Sequence, residues 1–124
     1  MAAFSQDGKV VSVNDAVSIV GLVVSVVGSG GLAQVTVETD LTTATFVCAA
    51  NDCQAVEHSA DAAHPATSIA GKHFGVAGNQ VSVMGRVASI TGSGNTASLT
   101  VTLKSSGANI VVPAGAVRSH IFNG

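Results

Sequence analysis

The sequence predicts an all-β protein built from two tandem five-stranded small β-barrels. Two observations support this fold class: the chain repeats itself after 64 positions, and each copy reads as short apolar strands separated by glycine-rich turns. The composition allows a core, because 47% of the 124 residues are hydrophobic and only 10% are charged. The usual charged share is about 25%. A single ordinary domain or two very small ones fit this length.

The repeat is clearest where VSIVGLVVSVVGSG, starting at Val17, recurs as VSVMGRVASITGSG, starting at Val81. Eleven of the 21 positions in 17–37 are identical, without a gap, to those in 81–101, and the glycine of each long strand and two glycines of each turn stay in register. From the repeat we assign a first barrel to residues 1–58, a linker to 59–69 and a second barrel to 70–124. The linker is rich in small residues and contains a proline, as connecting segments often do.

Each copy begins with a short strand and continues into a long strand with a glycine near its middle. The short strands are predicted at 9–13 and 72–76, and the long strands at 16–27 and 80–91. β-Branched residues dominate the long strands and favour the extended conformation. A central glycine in such a strand suits a sharp bend or a bulge at a barrel corner.

The second half of each copy shows three further strands, which are easiest to recognise in copy two. Residues 97–103 alternate between apolar and hydroxyl side chains, as expected for a strand with one buried face. A fourth strand at 109–112 leads into the sequence PAGA, which predicts a tight turn or one turn of 3₁₀ helix. A fifth strand at 117–122 completes the copy.

Five short strands with the last two joined by a helical turn, as in ANIVVPAGAV, resemble the Src-homology-3-like small β-barrel. An oligonucleotide-binding-type five-stranded barrel is the alternative. Both barrel types serve many unrelated functions, so this resemblance implies the fold and leaves the activity open.

The outward side of the long strand differs between the two copies. Copy one carries Val20, Leu22 and Val24 there, whereas copy two carries Met84, Arg86 and Ala88. A strand that is apolar on both faces is expected to be covered on both. We therefore predict that Val20, Leu22 and Val24 form a contact surface, covered either by the sister barrel or by another protein chain.

Cys48 and Cys53 open a segment with the spacing C-x4-C-x4-H-x5-H. Their positions in the repeat correspond to Val112 and Val117, so we expect two buried free thiols that act as small hydrophobic side chains. A disulfide between Cys48 and Cys53 across the intervening turn and a zinc site that includes the histidines stay open as alternatives. The prediction is no metal and no cofactor.

No catalytic set of residues is recognisable in the sequence. No Ser-His-Asp arrangement has a family-like spacing, no two carboxylates can be paired for acid–base chemistry, and the Gly-Ser-Gly turns lack the Lys-Ser/Thr of a phosphate-binding loop. Five scattered cations on a chain of net charge −2 argue against nucleic acid as the partner. We also expect no membrane segment, because no apolar run approaches about 20 residues, and no signal peptide, because the sequence begins without a basic stretch followed by an apolar one.

The low charge, the abundance of small residues and the tandem barrels are similar to small virion proteins of tailed phages, such as capsid decoration or cement proteins and head–tail connectors. The resemblance implies a non-enzymatic structural protein that acts through protein–protein contacts, with itself or with other virion subunits, as an oligomer or part of a larger assembly. It would be made in the host cytoplasm and incorporated into the virion. The alternatives are a small nucleic-acid-binding or accessory module and a cytoplasmic location.

Overall fold

The computed structural model describes residues 3–6, 8–39, 44–55, 66–69, 73–74 and 79–119. Within these residues the chain is all-β, and two single turns of 3₁₀ helix, Ala50–Asp52 and Ala114–Ala116, are the helical elements. The twelve strands are β1 (Ala3–Phe4), β2 (Val10–Val11), β3 (Ala16–Val27), β4 (Gln34–Thr39), β5 (Thr45–Ala49), β6 (Cys53–Ala55), β7 (Ala66–Thr67), β8 (His73–Phe74), β9 (Gln80–Thr91), β10 (Ser98–Leu103), β11 (Asn109–Pro113) and β12 (Val117–Ser119).

Eight of these strands form one continuous sheet that is nearly closed into a barrel. The main path runs β11-β10-β9-β3-β4-β5, and the edge strands β5 and β11 approach each other. The long strands β3 and β9 lie side by side and antiparallel at the centre of the path, from Ala16 opposite Arg86 to Leu22 opposite Gln80. The two halves therefore share a sheet.

The fifth strand of each half pairs with the long strand of the other half. In β12, Val117 lies opposite Ile19 of β3, and in β6, Cys53 lies opposite Val83 of β9. The short strands at the start of each half also contact the other half. Ala3 forms a β-bridge to Gly94, and Ala66 forms a β-bridge to Gly30. These pairings are equivalent under the repeat, which gives the chain an internal two-fold symmetry.

The glycine in each long strand allows a very close approach of the neighbouring strand. A Cβ atom on Gly21 would lie 2.4 Å from the carbonyl oxygen of Glu38, and one on Gly85 would lie 2.4 Å from that of Thr102. The register to the neighbouring strand then shifts between Val23 and Ser25, and equivalently opposite Thr100 and Val101 in copy two. Of the two predicted features, a bend or a bulge, the bulge is present, just beyond the glycine.

The core is built from aliphatic side chains that both halves contribute. The inward positions of the long strands are buried in both copies, as predicted: Val17, Ile19 and Val23 in β3, and Val81, Val83 and Val87 in β9. The strands predicted at 16–27 and 80–91 have these bounds in the structure. Of the predicted linker, the structure describes 66–69, and Ala66–Thr67 forms a short strand with His73–Phe74.

Candidate interaction surface

The centre of the outward surface is the β3/β9 strand pair, whose inner side faces the core. Residues alternate along these strands, so Val20 and Leu22 of β3 and Met84 and Arg86 of β9 point outward. Leu22 is 45% exposed, and Val20 and Met84 are partly buried. We call this set, with the bulge residues beyond it, the outer face.

The bulge explains why a third apolar residue of copy one is exposed. Val24 has no cross-strand partner, because Val23 lies opposite Val37 and Ser25 lies opposite Thr36. Val24 is 50% exposed, and its counterpart Ala88 is exposed as well. The bulge thus adds an outward aliphatic side chain to copy one, where copy two has a methyl group.

The predicted contact residues Val20, Leu22 and Val24 lie together on one strand, where Val20 is partly buried and Leu22 and Val24 are exposed. The sequence left two candidates to cover these residues, the sister half and another protein chain. The sister half leaves Leu22 and Val24 about half exposed. Beside them, Glu38 of β4 lies directly opposite Leu22 and is also exposed. Copy one therefore presents an aliphatic strip with a carboxylate at its edge.

The equivalent region of copy two is cationic and hollow. Arg86 takes the place of Leu22, Thr102 that of Glu38, and Lys104 lies directly after the end of β10. These residues line a hollow of about 430 Å³ together with Ala16, Val17, Met84, Gly85, Leu103 and Gly107. One guanidinium nitrogen of Arg86 donates a hydrogen bond to the carbonyl oxygen of Asn14, at 2.9 Å, which fixes the arginine beside the hollow.

Cys48 and Cys53 are buried on either side of the first 3₁₀ turn, and their sulfur atoms lie 3.6 Å apart. Their counterparts Val112 and Val117 are buried at the same places, so the core positions inferred from the repeat are confirmed. The hydrogen bond with Cys48, followed by burial, raises the pKa of the Cys53 thiol. The protonated thiol is a poor nucleophile and a poor metal ligand.

The zinc alternative also involved His58 and His64, which lie outside the described residues. Among the residues that are described, no group of three or more histidine, cysteine, aspartate or glutamate side chains is arranged to hold a metal ion. None of the described segments forms a helix that is long and apolar enough to cross a membrane.

A polar contact between the halves was not predicted from the sequence. Asp52, in the first 3₁₀ turn, is buried, and its two carboxylate oxygens accept hydrogen bonds from the backbone N–H and the hydroxyl of Ser106, at 2.9 and 2.7 Å. Ser106 lies in the turn between β10 and β11. The repeat gives no signal for this contact, because the counterpart of Asp52 is Ala116.

Comparison of the chain with protein-family models, with curated proteins and with solved structures finds no match.

Proposed function

We propose that this protein is a non-enzymatic structural subunit that acts through protein–protein contacts, and that its outer face is the contact surface. The observation that carries the proposal is the exposure of Leu22 and Val24 on a strand whose other side is core. Exposed aliphatic clusters of this kind mark interaction surfaces. Fully covering one such side chain contributes about 1.5–3 kcal/mol.

We further propose that the assembly is a virion, in which the chain serves as a capsid decoration, cement or connector subunit. The support is the low charge of the chain together with its strand-exchanged sheet. A cement subunit acts through a stable surface and does not require a conformational change. In this proposal each half is a Src-homology-3-like barrel unit whose last strand is exchanged with its sister.

The test is incorporation of the chain into the virus particles whose genome encodes it. Density-purified particles should contain the chain, and purified chain should add back to particles that lack it. Leu22→Arg should fold with a free energy of unfolding within about 0.5 kcal/mol of the parent, because the site is exposed, but it should not add back. The matched control is Val111→Arg, a similar change at a 59% exposed valine of the second half. Addition of Leu22→Arg at the parent's level would remove the support for this surface.

Single-stranded nucleic acid is the second candidate partner, because three of the five cations surround Met84. Arg86, Lys104 and Arg118 line adjoining hollows, each of which also includes Met84. Of the described phenylalanines, Phe4 is 41% exposed and Phe46 and Phe74 are buried, so the described residues offer few aromatic side chains on which bases could stack. Fluorescence anisotropy with a labelled oligonucleotide decides the matter. Binding that weakens steeply with salt would favour this candidate over the assembly proposal.

A further inference from the structure

The two ends of the β3/β9 strand pair are complementary in shape and charge. At the copy-one end, the exposed side chain of Leu22 stands beside the exposed carboxylate of Glu38. At the copy-two end, the lining of the hollow combines the apolar Ala16 and Met84 with the cations Arg86 and Lys104. An apolar side chain with a neighbouring carboxylate matches an apolar hollow with neighbouring cations.

We infer that the partner of the outer face is a second copy of this chain, with Leu22 of one copy seated in the hollow of the other and Glu38 set against the second copy's Arg86 and Lys104. The inference rests on the proposed function and names the partner.

The internal symmetry allows both ends to engage at the same time. The repeat axis passes between Ile19 and Val83, so Leu22 and Arg86 lie on the same outward side of the sheet, at opposite ends of the paired segment. Six residue positions along the strands separate the two ends, which corresponds to about 20 Å. Two chains related by a two-fold axis in the plane of the contact, perpendicular to the line that joins the two ends, would each place a Leu22–Glu38 end over the other's Arg86–Lys104 end.

The centre of this contact is compatible with close approach of two chains. The residues between the two ends on the outer face are Ser18, Val20, Ser82 and Met84, and all four are partly buried. None of these four carries a charge, whereas the exposed Arg118 of β12, directly opposite Ser18, adds a cation beside them. The net charge of −2 over the whole chain would otherwise disfavour self-association, which makes the local pairing of unlike charges the decisive term.

Charge reversal at the two ends tests the inference in the full-length chain. Arg86→Glu sets acid against acid twice in a two-fold dimer, and Glu38→Arg sets base against base twice. Sedimentation velocity should show a parent dimer that weakens with salt, and each variant should raise the dimer dissociation constant at least about tenfold. An equal mixture of the two variants pairs unlike charges at both ends, so native mass spectrometry should detect the mixed dimer and little of either homodimer.

Lys9→Glu is the control, because Lys9 is exposed, lies outside the hollow and gives the same change in net charge as Arg86→Glu. It should associate like the parent. A parent chain that stays monomeric, an Arg86→Glu variant that associates like the parent, or a mixture that stays monomeric would each overturn the inference. A monomeric parent that still adds back to particles would overturn the dimer and leave the proposed function standing. A parent chain that dimerises as expected but is absent from particles would support the dimer and overturn the proposed function.

Discussion

Ile19 and Val83 lie directly opposite each other in the β3/β9 pair, and they are the same residue position in the two copies of the repeat. The internal two-fold axis therefore passes between these side chains, both of which are buried. Around this point the last strand of each half is added to the long strand of the other, so the two copies contribute to a common sheet and a common core.

This arrangement predicts one cooperative unfolding transition for the whole chain. Val37→Ala and Val101→Ala are equivalent changes at fully buried positions of opposite halves. Each should lower the free energy of unfolding by about 2 kcal/mol and should shift one common transition. Urea unfolding followed by far-UV circular dichroism and by methyl NMR measures this. Two separable transitions, with each variant shifting only its own, would indicate independent halves.

Gly21 and Gly85 should resist replacement even by alanine. An added Cβ at either position would lie 2.4 Å from a backbone carbonyl oxygen of the neighbouring strand. A backbone oxygen held in a sheet cannot move aside as the end of a flexible side chain could. We expect Gly21→Ala and Gly85→Ala each to destabilise the protein by about 2–3 kcal/mol. Gly31→Ala is the control, since its nearest contact would be the Asn51 Cβ at 3.4 Å, and it should change stability by less than about 1 kcal/mol. Equal effects at all three sites would contradict the close approach.

The repeat was sufficient to predict the local structure but not the connection between the halves. Alternation and glycine spacing placed β3 and β9 at their observed bounds and identified Val17, Ile19 and Val23 as core. The strand Cys53–Ala55 satisfies the same pattern whether it pairs within its own half or with β9 of the other. Sequence periodicity specifies which side of a strand is buried, and it does not specify which copy of a repeated strand lies beside it.

The outer face was predictable in part for a related reason. The contrast between Leu22 and Arg86 is visible in the sequence, since equivalent positions of a repeat are expected to differ only where their surroundings differ. The hollow beside Arg86 was not predictable, because it depends on how β9, β10 and the start of β3 meet in space. The Asp52–Ser106 contact was missed because its residues lie in two turns that are distant in the sequence.

The Asp52–Ser106 contact is expected to contribute to stability, because it links the two halves. Asp52→Ala, which copies the residue of the sister repeat, removes the carboxylate that accepts part-buried hydrogen bonds from the backbone N–H and the hydroxyl of Ser106. We expect a loss of about 1–3 kcal/mol in the free energy of unfolding. Ser106→Ala removes the hydroxyl and keeps the backbone hydrogen bond to Asp52, so its loss should be smaller. Equal stability of Asp52→Ala and the parent in urea unfolding would show that the contact adds nothing.

The buried thiols predict a loss of stability at alkaline pH. The hydrogen bond with Cys48 and burial raise the pKa of Cys53 above its ordinary value of 9.0 in the folded state. Below that value the thiol is protonated in both states, and its contribution to stability is complete. As the pH rises above it, the unfolded chain releases the proton and the folded chain keeps it, so the folded state loses up to about 1 kcal/mol per pH unit.

The control is the double variant Cys48→Val, Cys53→Val, which reproduces the apolar residue type of the sister repeat and removes both thiols. In the presence of a reducing agent, urea unfolding from pH 7 to pH 10 should show a steeper decline above pH 9 for the parent than for the double variant. Parallel declines would show that the folded state does not hold the Cys53 proton, and a parent that loses stability on reduction at pH 7, where the double variant does not, would indicate a disulfide instead.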